Sequence, residues 1–254
     1  MPIQYARGLT GRDRTAQANH HLGSALAFVA GAINAGGFLA VAQYTSHMTG
    51  VVSAMADNMA LGAFDLVGGA IAGLLSFLLG AACSAVMVNF ARRRRLGSLY
   101  AFPLLLEAGL LLCFGLLGGQ LASIKGLHVP ITVMLLCFIM GLQNALITKL
   151  SRAEIRTTHI TGIVTDIGIE LGKLLYWNSA GAVAVEKVVG NRQRLGVLCA
   201  LACCFFLGGV AGALGFKHLG YISTLPLAIL LIVLACVPVV DDAVLIVRRR
   251  LRIE

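Results

Sequence analysis

The sequence predicts an all-α integral membrane protein of six transmembrane helices, arranged as two inverted three-helix repeats. Three observations predict it: composition, the placement of charge, and one short phrase stated twice. Of 254 residues, 58% are hydrophobic and 12% charged, whereas an ordinary soluble domain carries about 25% charged residues. Six runs reach the length of about 20 apolar residues that crosses a bilayer: 22–44, 66–90, 98–118, 128–148, 196–216 and 222–244.

Charge orients these runs. With the N-terminus inside, the inner segments collect Arg7, Arg12 and Arg14, then Arg92 to Arg95, then the seven basic residues from Lys149 to Arg194, then Arg248, Arg249, Arg250 and Arg252. Only Lys125 and Lys217 of the 20 basic residues fall outside, the asymmetry of the positive-inside rule. Both termini are therefore expected in the cytoplasm of a bacterial inner membrane. The net charge of +9 is absorbed by this rule, so no nucleic-acid partner is expected. The polar stretch 1–21 reads as a cytoplasmic tail rather than a secretory signal, and 248–254 as a basic cytoplasmic tail.

The repeat organises what lies between. Gly31 to Gly62, GAINAGGFLAVAQYTSHMTGVVSAMADNMALG, parallels Gly141 to Gly172, GLQNALITKLSRAEIRTTHITGIVTDIGIELG. Asn34-Ala35 matches Asn144-Ala145, and Thr-x-His-x-Thr-Gly recurs with His47 against His159, Thr49 against Thr161 and Gly50 against Gly162. A two-residue insertion in the second copy reconciles the spacings. The halves are expected at 22–122 and 123–247. Three spans is an odd number, so the second half enters the membrane in the opposite sense, an architecture of many secondary transporters.

Each phrase is followed by a segment too short to cross, 51–61 in the first half and 162–177 in the second, so each half is expected to hold a re-entrant or broken helix after its first span. The stretch 50–90 is too long for one straight crossing, which predicts a break near Gly62, before Asp65 caps the next span. Thr49 and Thr161 suit the N-cap, where a hydroxyl accepts from free backbone N–H groups. The adjacent glycines let a ligand or another backbone approach. Exposed half-helix N-termini favour anionic or hydrogen-bond-accepting groups, although the same features would also hold a re-entrant helix without touching any ligand.

The residue pattern, a Gly-x-x-Asn-Ala run followed by His-x-Thr-Gly, with GLQNA and RTTHITG in the second half, resembles the YoaK family of uncharacterised bacterial multi-pass membrane proteins. The resemblance runs from about residue 22 to 245. The chain departs from the family's first half at Asn34, where Asp is common, and at Val51, where Asn commonly follows Thr-Gly. The resemblance implies the fold and the membrane location and supplies little mechanism.

Candidate chemistry follows from these positions. Histidine donates, accepts and changes charge near neutral pH as a residue type, which suits solute binding or proton coupling. Two histidines with no ligating carboxylate or cysteine beside them make an incomplete metal site, so no metal and no cofactor is expected. Polar side chains inside spans face a partner or a cavity, which puts Asn34 and Asn144 beside the same central site or makes them interhelical glue. Glu107, inside the third span, and Asp57, on a face with Ser53 beside Asn58, are candidates for proton coupling. Asp166, Glu170 and Lys173 share a face of the second short helix, read as a solvated cytoplasmic face. The seven cysteines, Cys83, Cys113, Cys137, Cys199, Cys203, Cys204 and Cys236, are expected to be buried small hydrophobes. The GxxxG at Gly208 and Gly212 is expected to pack helices within the chain, with a homo-oligomer interface as the alternative. Trp177 is expected near an interface. No phosphate loop, dinucleotide fingerprint, HExxH or nucleophile elbow occurs, so an enzyme is not expected. The expected function is secondary transport or permeation of a small polar solute, anions included, across the lipid bilayer. The rival is a non-transporting membrane subunit, whether scaffold, sensor or redox partner.

Overall fold

The computed structural model describes residues 15–94, 96–121, 128–151, 157–177 and 187–250. The described residues form helices and connecting turns, with no strand among them. In chain order they are α1 Ala16–Val41, α2 Met48–Ala60, α3 Phe64–Arg93, α4 Ala101–Leu121, α5 His128–Leu150, α6 Ile160–Leu175, α7 Arg192–Leu219, a 3-10 turn Gly220–Thr224 and α8 Leu225–Arg250.

All six apolar runs of the sequence fall on helices, and α2 and α6 fall where the short segments are expected. Among the described residues, four helical stretches are long and apolar enough to cross a bilayer: Gln17–Val41, Phe64–Arg93, Val129–Leu150 and Arg192–Cys236. The last runs through the 3-10 turn, and Ala101–Leu116 is a further, shorter apolar stretch. Their length and composition suggest a membrane protein. At 1.5 Å per residue, α2 and α6 extend only about 20–24 Å, short of a hydrocarbon core of about 30 Å.

Several boundaries differ from expectation. Thr15 caps α1 by accepting from the Ala18 N–H, so the first helix begins inside the expected tail; residues 1–14 lie outside the described residues. The last helix continues to Arg250, into the expected C-terminal tail. The break near Gly62 is present, with Gly62 at φ 75°, a left-handed conformation that glycine adopts without steric cost. Asp65 does not cap α3, because Ala63 is the N-cap and Asp65 sits in the first turn. Of the basic residues used for orientation, Arg7, Arg12, Arg14, Arg95, Lys125, Arg152, Arg156 and Arg252 lie outside the described residues.

Small residues set the helix pairings. The buried positions of α3 are Val67, Gly73, Ser76, Gly80, Ser84, Val88 and Ala91, a stripe of helical period that lets α5 come close. At the crossing, Gly80 lies against the Phe138 carbonyl and Gly141 against the Phe77 carbonyl, so tightly that a Cβ at either would overlap the facing backbone. The α1–α7 pair crosses the same way: Gly31 lies against the Phe205 carbonyl and Gly208 against the Phe28 carbonyl. Gly212 meets the Ala32 backbone, so the GxxxG of α7 packs within the chain. Leu104, Leu111, Leu136, Ile139, Met140, Leu146, Ile147, Leu201 and Leu231 are fully buried in one apolar core.

The cysteines correct the sequence reading. Cys137 is buried and Cys83 and Cys204 are half-buried, but Cys113, Cys199, Cys203 and Cys236 are exposed. An apolar side chain does not have to be inside when helices carry apolar residues all round, and the outer faces of α3 and α7 also expose Leu75, Leu78, Leu79, Phe206 and Leu207. Such faces suit lipid rather than water.

Candidate functional site

The two phrases build the same local structure. His47 precedes α2 and His159 precedes α6, each at the N-cap, with φ,ψ of −94°,70° and −87°,58°. The first turns close by Val51 N–H donating to the His47 carbonyl at 3.1 Å and Ile163 N–H to the His159 carbonyl at 3.1 Å. Neither N-cap side chain makes a capping hydrogen bond. The expectation that Thr49 and Thr161 cap these helices is therefore corrected: both lie within the first turn, two residues inside the cap. They are too far along the helix for their hydroxyls to accept from the N–H groups of the second and third positions that a cap serves.

Each glycine has a definite steric reason. A Cβ on Gly50 would overlap the His47 ring, and one on Gly162 would come within 2.6 Å of His159 Nδ1. The close approach at each glycine is by the imidazole of the same turn, folded over the helix start.

The asparagines hold the phrases to the preceding helices. Asn34 Oδ1 accepts from the Ser46 N–H at 3.3 Å and from Ser46 Oγ at 2.8 Å. Asn144 Oδ1 accepts from the Thr158 hydroxyl, and its Nδ2 donates to the Met140 carbonyl at 2.9 Å. Beneath the phrases, Thr45 and Thr157 are buried, and neither hydroxyl has a hydrogen-bond partner among the described residues.

One cavity of about 690 Å³ joins the two phrases. Asn34, Tyr44, Ser46, His47, Met48 and Thr49 line it from one side, and Asn144, Thr148, Thr158, His159, Ile160 and Thr161 from the other, with Phe77 and Phe205 completing the wall. Six of the eight residues expected to bind solute therefore share one chamber. Gly50 and Gly162 are not on its wall and act through the histidine rings they admit. The lining carries no Asp, Glu, Lys or Arg among the described residues. Its two carboxamide oxygens are already occupied by hydroxyls. Ser46, Thr158 and Thr148 spend their hydroxyl protons on these two asparagines, so the donors the wall adds are the backbone N–H groups of the two helix starts and the hydroxyls of Tyr44, Thr49 and Thr161.

Neither carboxylate expected to couple protons lines this chamber. Asp57 is exposed on α2. Glu107 is fully buried on α4 and neither of its oxygens has a hydrogen-bond partner among the described residues. No group of three or more His, Cys, Asp or Glu side chains able to hold a metal occurs among the described residues. The second short helix is also less solvated than its sequence suggests. Glu170 is buried, accepts from the Asn191 N–H at 2.8 Å and pairs with Lys173 at 2.9 Å. The backbone N–H of Asn191, then Lys173, hold its carboxyl below the usual range. Arg194 reaches Asp166 at 3.0 Å and Glu170 at 3.7 Å.

Sequence reasoning missed Ser46, Thr158, Tyr44, Phe77 and Phe205. Ser46 and Thr158 occupy the unspecified position before each histidine, and both carry a hydroxyl, so the signal was present inside the phrase itself. The phenylalanines stand at equivalent places on α3 and α7, outside the segments whose repetition is visible.

Helices of this length around a polar chamber define a helical protein of membrane character with a candidate small-molecule site. Its family follows from the sequence match: residues 22–237 match the family described as "Protein of unknown function (DUF1275)", and the chain belongs to it. No curated protein and no solved structure matches the chain.

Proposed function

We propose that this protein is a secondary transporter or permease for a small polar, acceptor-rich solute, including small anions, bound between the two His-x-Thr-Gly phrases. The observation that carries the proposal is the single chamber lined by both phrases. A site with helix-start donors and no fixed negative charge among the described residues favours a solute that accepts hydrogen bonds, since helix starts carry partial positive charge. Asn34 and Asn144 brace the turns, while His47, His159, Thr49 and Thr161 meet the solute. Glu107 is the candidate for proton coupling because a carboxyl buried without a partner is costly unless it has a role.

The proposed architecture is six spans in two inverted halves, with both termini in the cytoplasm of a bacterial inner membrane, as in the YoaK-like reading of the motifs. The pairing geometry supports it. Exchanging the halves turns Phe28, Gly31 and Asn34 into Phe138, Gly141 and Asn144, and Phe77 and Gly80 into Phe205 and Gly208. Under that exchange the Gly31–Phe205 and Gly208–Phe28 contacts of the α1–α7 crossing become the Gly141–Phe77 and Gly80–Phe138 contacts of the α5–α3 crossing. Single cysteines at Leu61 and Trp177, both strongly exposed at the far ends of α2 and α6, should then react with an impermeant thiol reagent from opposite faces of the membrane. Labelling from one face would exclude the inverted arrangement.

The function itself is tested by flux in proteoliposomes across a panel of small polar solutes, against His47→Ala and His159→Ala proteins that retain their fold. A scaffold, sensor or redox subunit would move none of them.

A further inference from the structure

The two halves are alike at the chamber and unlike behind it. A second cavity, of about 510 Å³, lies between α2, α3 and the start of α5. It shares His47 and Tyr44 with the central chamber, so these two side chains form the partition between them. Thr45, buried and with its hydroxyl unpartnered, lines the second cavity as well.

The corresponding place in the second half is built differently. The correspondence is fixed by the repeated phrase for α2 and α6, and by Phe77, Gly80 against Phe205, Gly208 for α3 and α7. Gly69, Ala70 and Gly73, on the wall of the second cavity, become Val197, Leu198 and Leu201, of which Leu198 and Leu201 are buried in the core. Val51 becomes Ile163, also buried there. Ala54, Asn58 and Leu66, which also line the cavity, become Asp166, Glu170 and Arg194. Those three belong, with Lys173, to one ion-pair cluster, in which Arg194 ties α6 to the first turn of α7. Accordingly α6 buries Ile163 and Glu170, while α2 buries no residue.

We infer that the second cavity is the entry vestibule to the central chamber, and that the Asp166–Glu170–Arg194 cluster is the latch closing the opposite route. The structure is then one member of an alternating pair, open past α2 and shut past α6. Passage to the other side requires Arg194 to leave both carboxylates, Glu170 to release the Asn191 N–H and α6 to part from α7. With the charge-derived orientation, the open side is the outer face and the latch is cytoplasmic. The inference rests on the proposed inverted arrangement, and it predicts access rather than flux.

The test uses the full chain in sealed, oriented vesicles, with a cysteine in place of Thr161 as the reporter and the protein with only its native cysteines as background. Thr161 belongs to the second phrase, yet an impermeant methanethiosulfonate reagent should reach it from the face bearing α2, at least tenfold faster than from the face bearing α6. Arg194→Gln should reduce that ratio to below threefold. Faster reaction from the α6 face, equal reaction from both, no reaction from either, or a ratio unmoved by Arg194→Gln would each overturn the inference. If the cysteine protein does not fold, amide exchange on the unaltered chain decides. Exchange over 163–170 should be at least tenfold slower than over 51–58, and Arg194→Gln should accelerate the former alone; equal exchange would overturn it. Because no solute is added, a failure here is separable from an absence of flux, which bears on the transport reading.

Discussion

Asn34 holds Ser46 through one carboxamide oxygen, which accepts from both the backbone N–H and the hydroxyl of that serine at 3.3 and 2.8 Å. Only acceptor capacity is used in this contact. A carboxylate provides the same acceptor. Asn34→Asp is therefore expected to be better tolerated than Asn34→Leu, which leaves the Ser46 donors without a partner at about 1–3 kcal/mol. Thermal unfolding in detergent of the two proteins side by side checks the order.

Gly50 and Gly162 each admit a histidine ring over the helix start. Alanine at either position is expected to push the imidazole aside, with overpacking of about 1–3 kcal/mol, and to reduce solute binding beyond what the loss of stability explains. Stability and flux measured on the same preparations distinguish this from simple unfolding.

At the α3–α5 crossing, Gly80 and Gly141 touch backbone, whereas a Cβ on Gly68 of the same α3 meets nothing within 4 Å. Gly80→Ala should destabilise strongly, by several times the roughly 1 kcal/mol that Gly68→Ala is expected to contribute in the other direction through helix propensity. Unfolding midpoints of opposite sign are the expected result.

Glu170 supplies a pH dependence. Its carboxyl is held low first by the Asn191 N–H and then by Lys173, so the folded value lies below the unfolded one. The stabilisation is complete above the unfolded carboxylate range of about 4.3 and is lost as pH falls through the folded value. Amide exchange over α6 should accelerate on acidification below about pH 4, and Glu170→Gln should remove that dependence while exchanging faster at neutral pH.

Much of the helix plan was legible because apolar runs of spanning length fall on helices. The short helices α2 and α6 were legible from the phrase that starts them. Their caps were not, because Thr49 is a good cap by residue type, yet the helix begins two residues earlier than that requires, with the His47 ring folded over its first turn. Cysteine burial was misread for a related reason: hydropathy marks Cys199 and Cys203 as apolar without saying whether they face protein or lipid. The chamber was half legible. The repeated residues pointed to it, while Phe77, Phe205 and Tyr44 entered it through packing that no local pattern encodes. The asymmetry between Leu66 and Arg194 is plain in the sequence only after the two crossings fix the alignment of α3 with α7.

The most direct measurement is solute flux into proteoliposomes across a panel of small polar and anionic solutes, run on the parent chain and on folded His47→Ala and His159→Ala proteins. The expected result is uptake of at least one solute, reduced at least tenfold by either substitution because both imidazoles face one chamber. Flux that survives both substitutions, or no flux and no thermal shift with any member of the panel, would contradict a shared solute site between the two phrases.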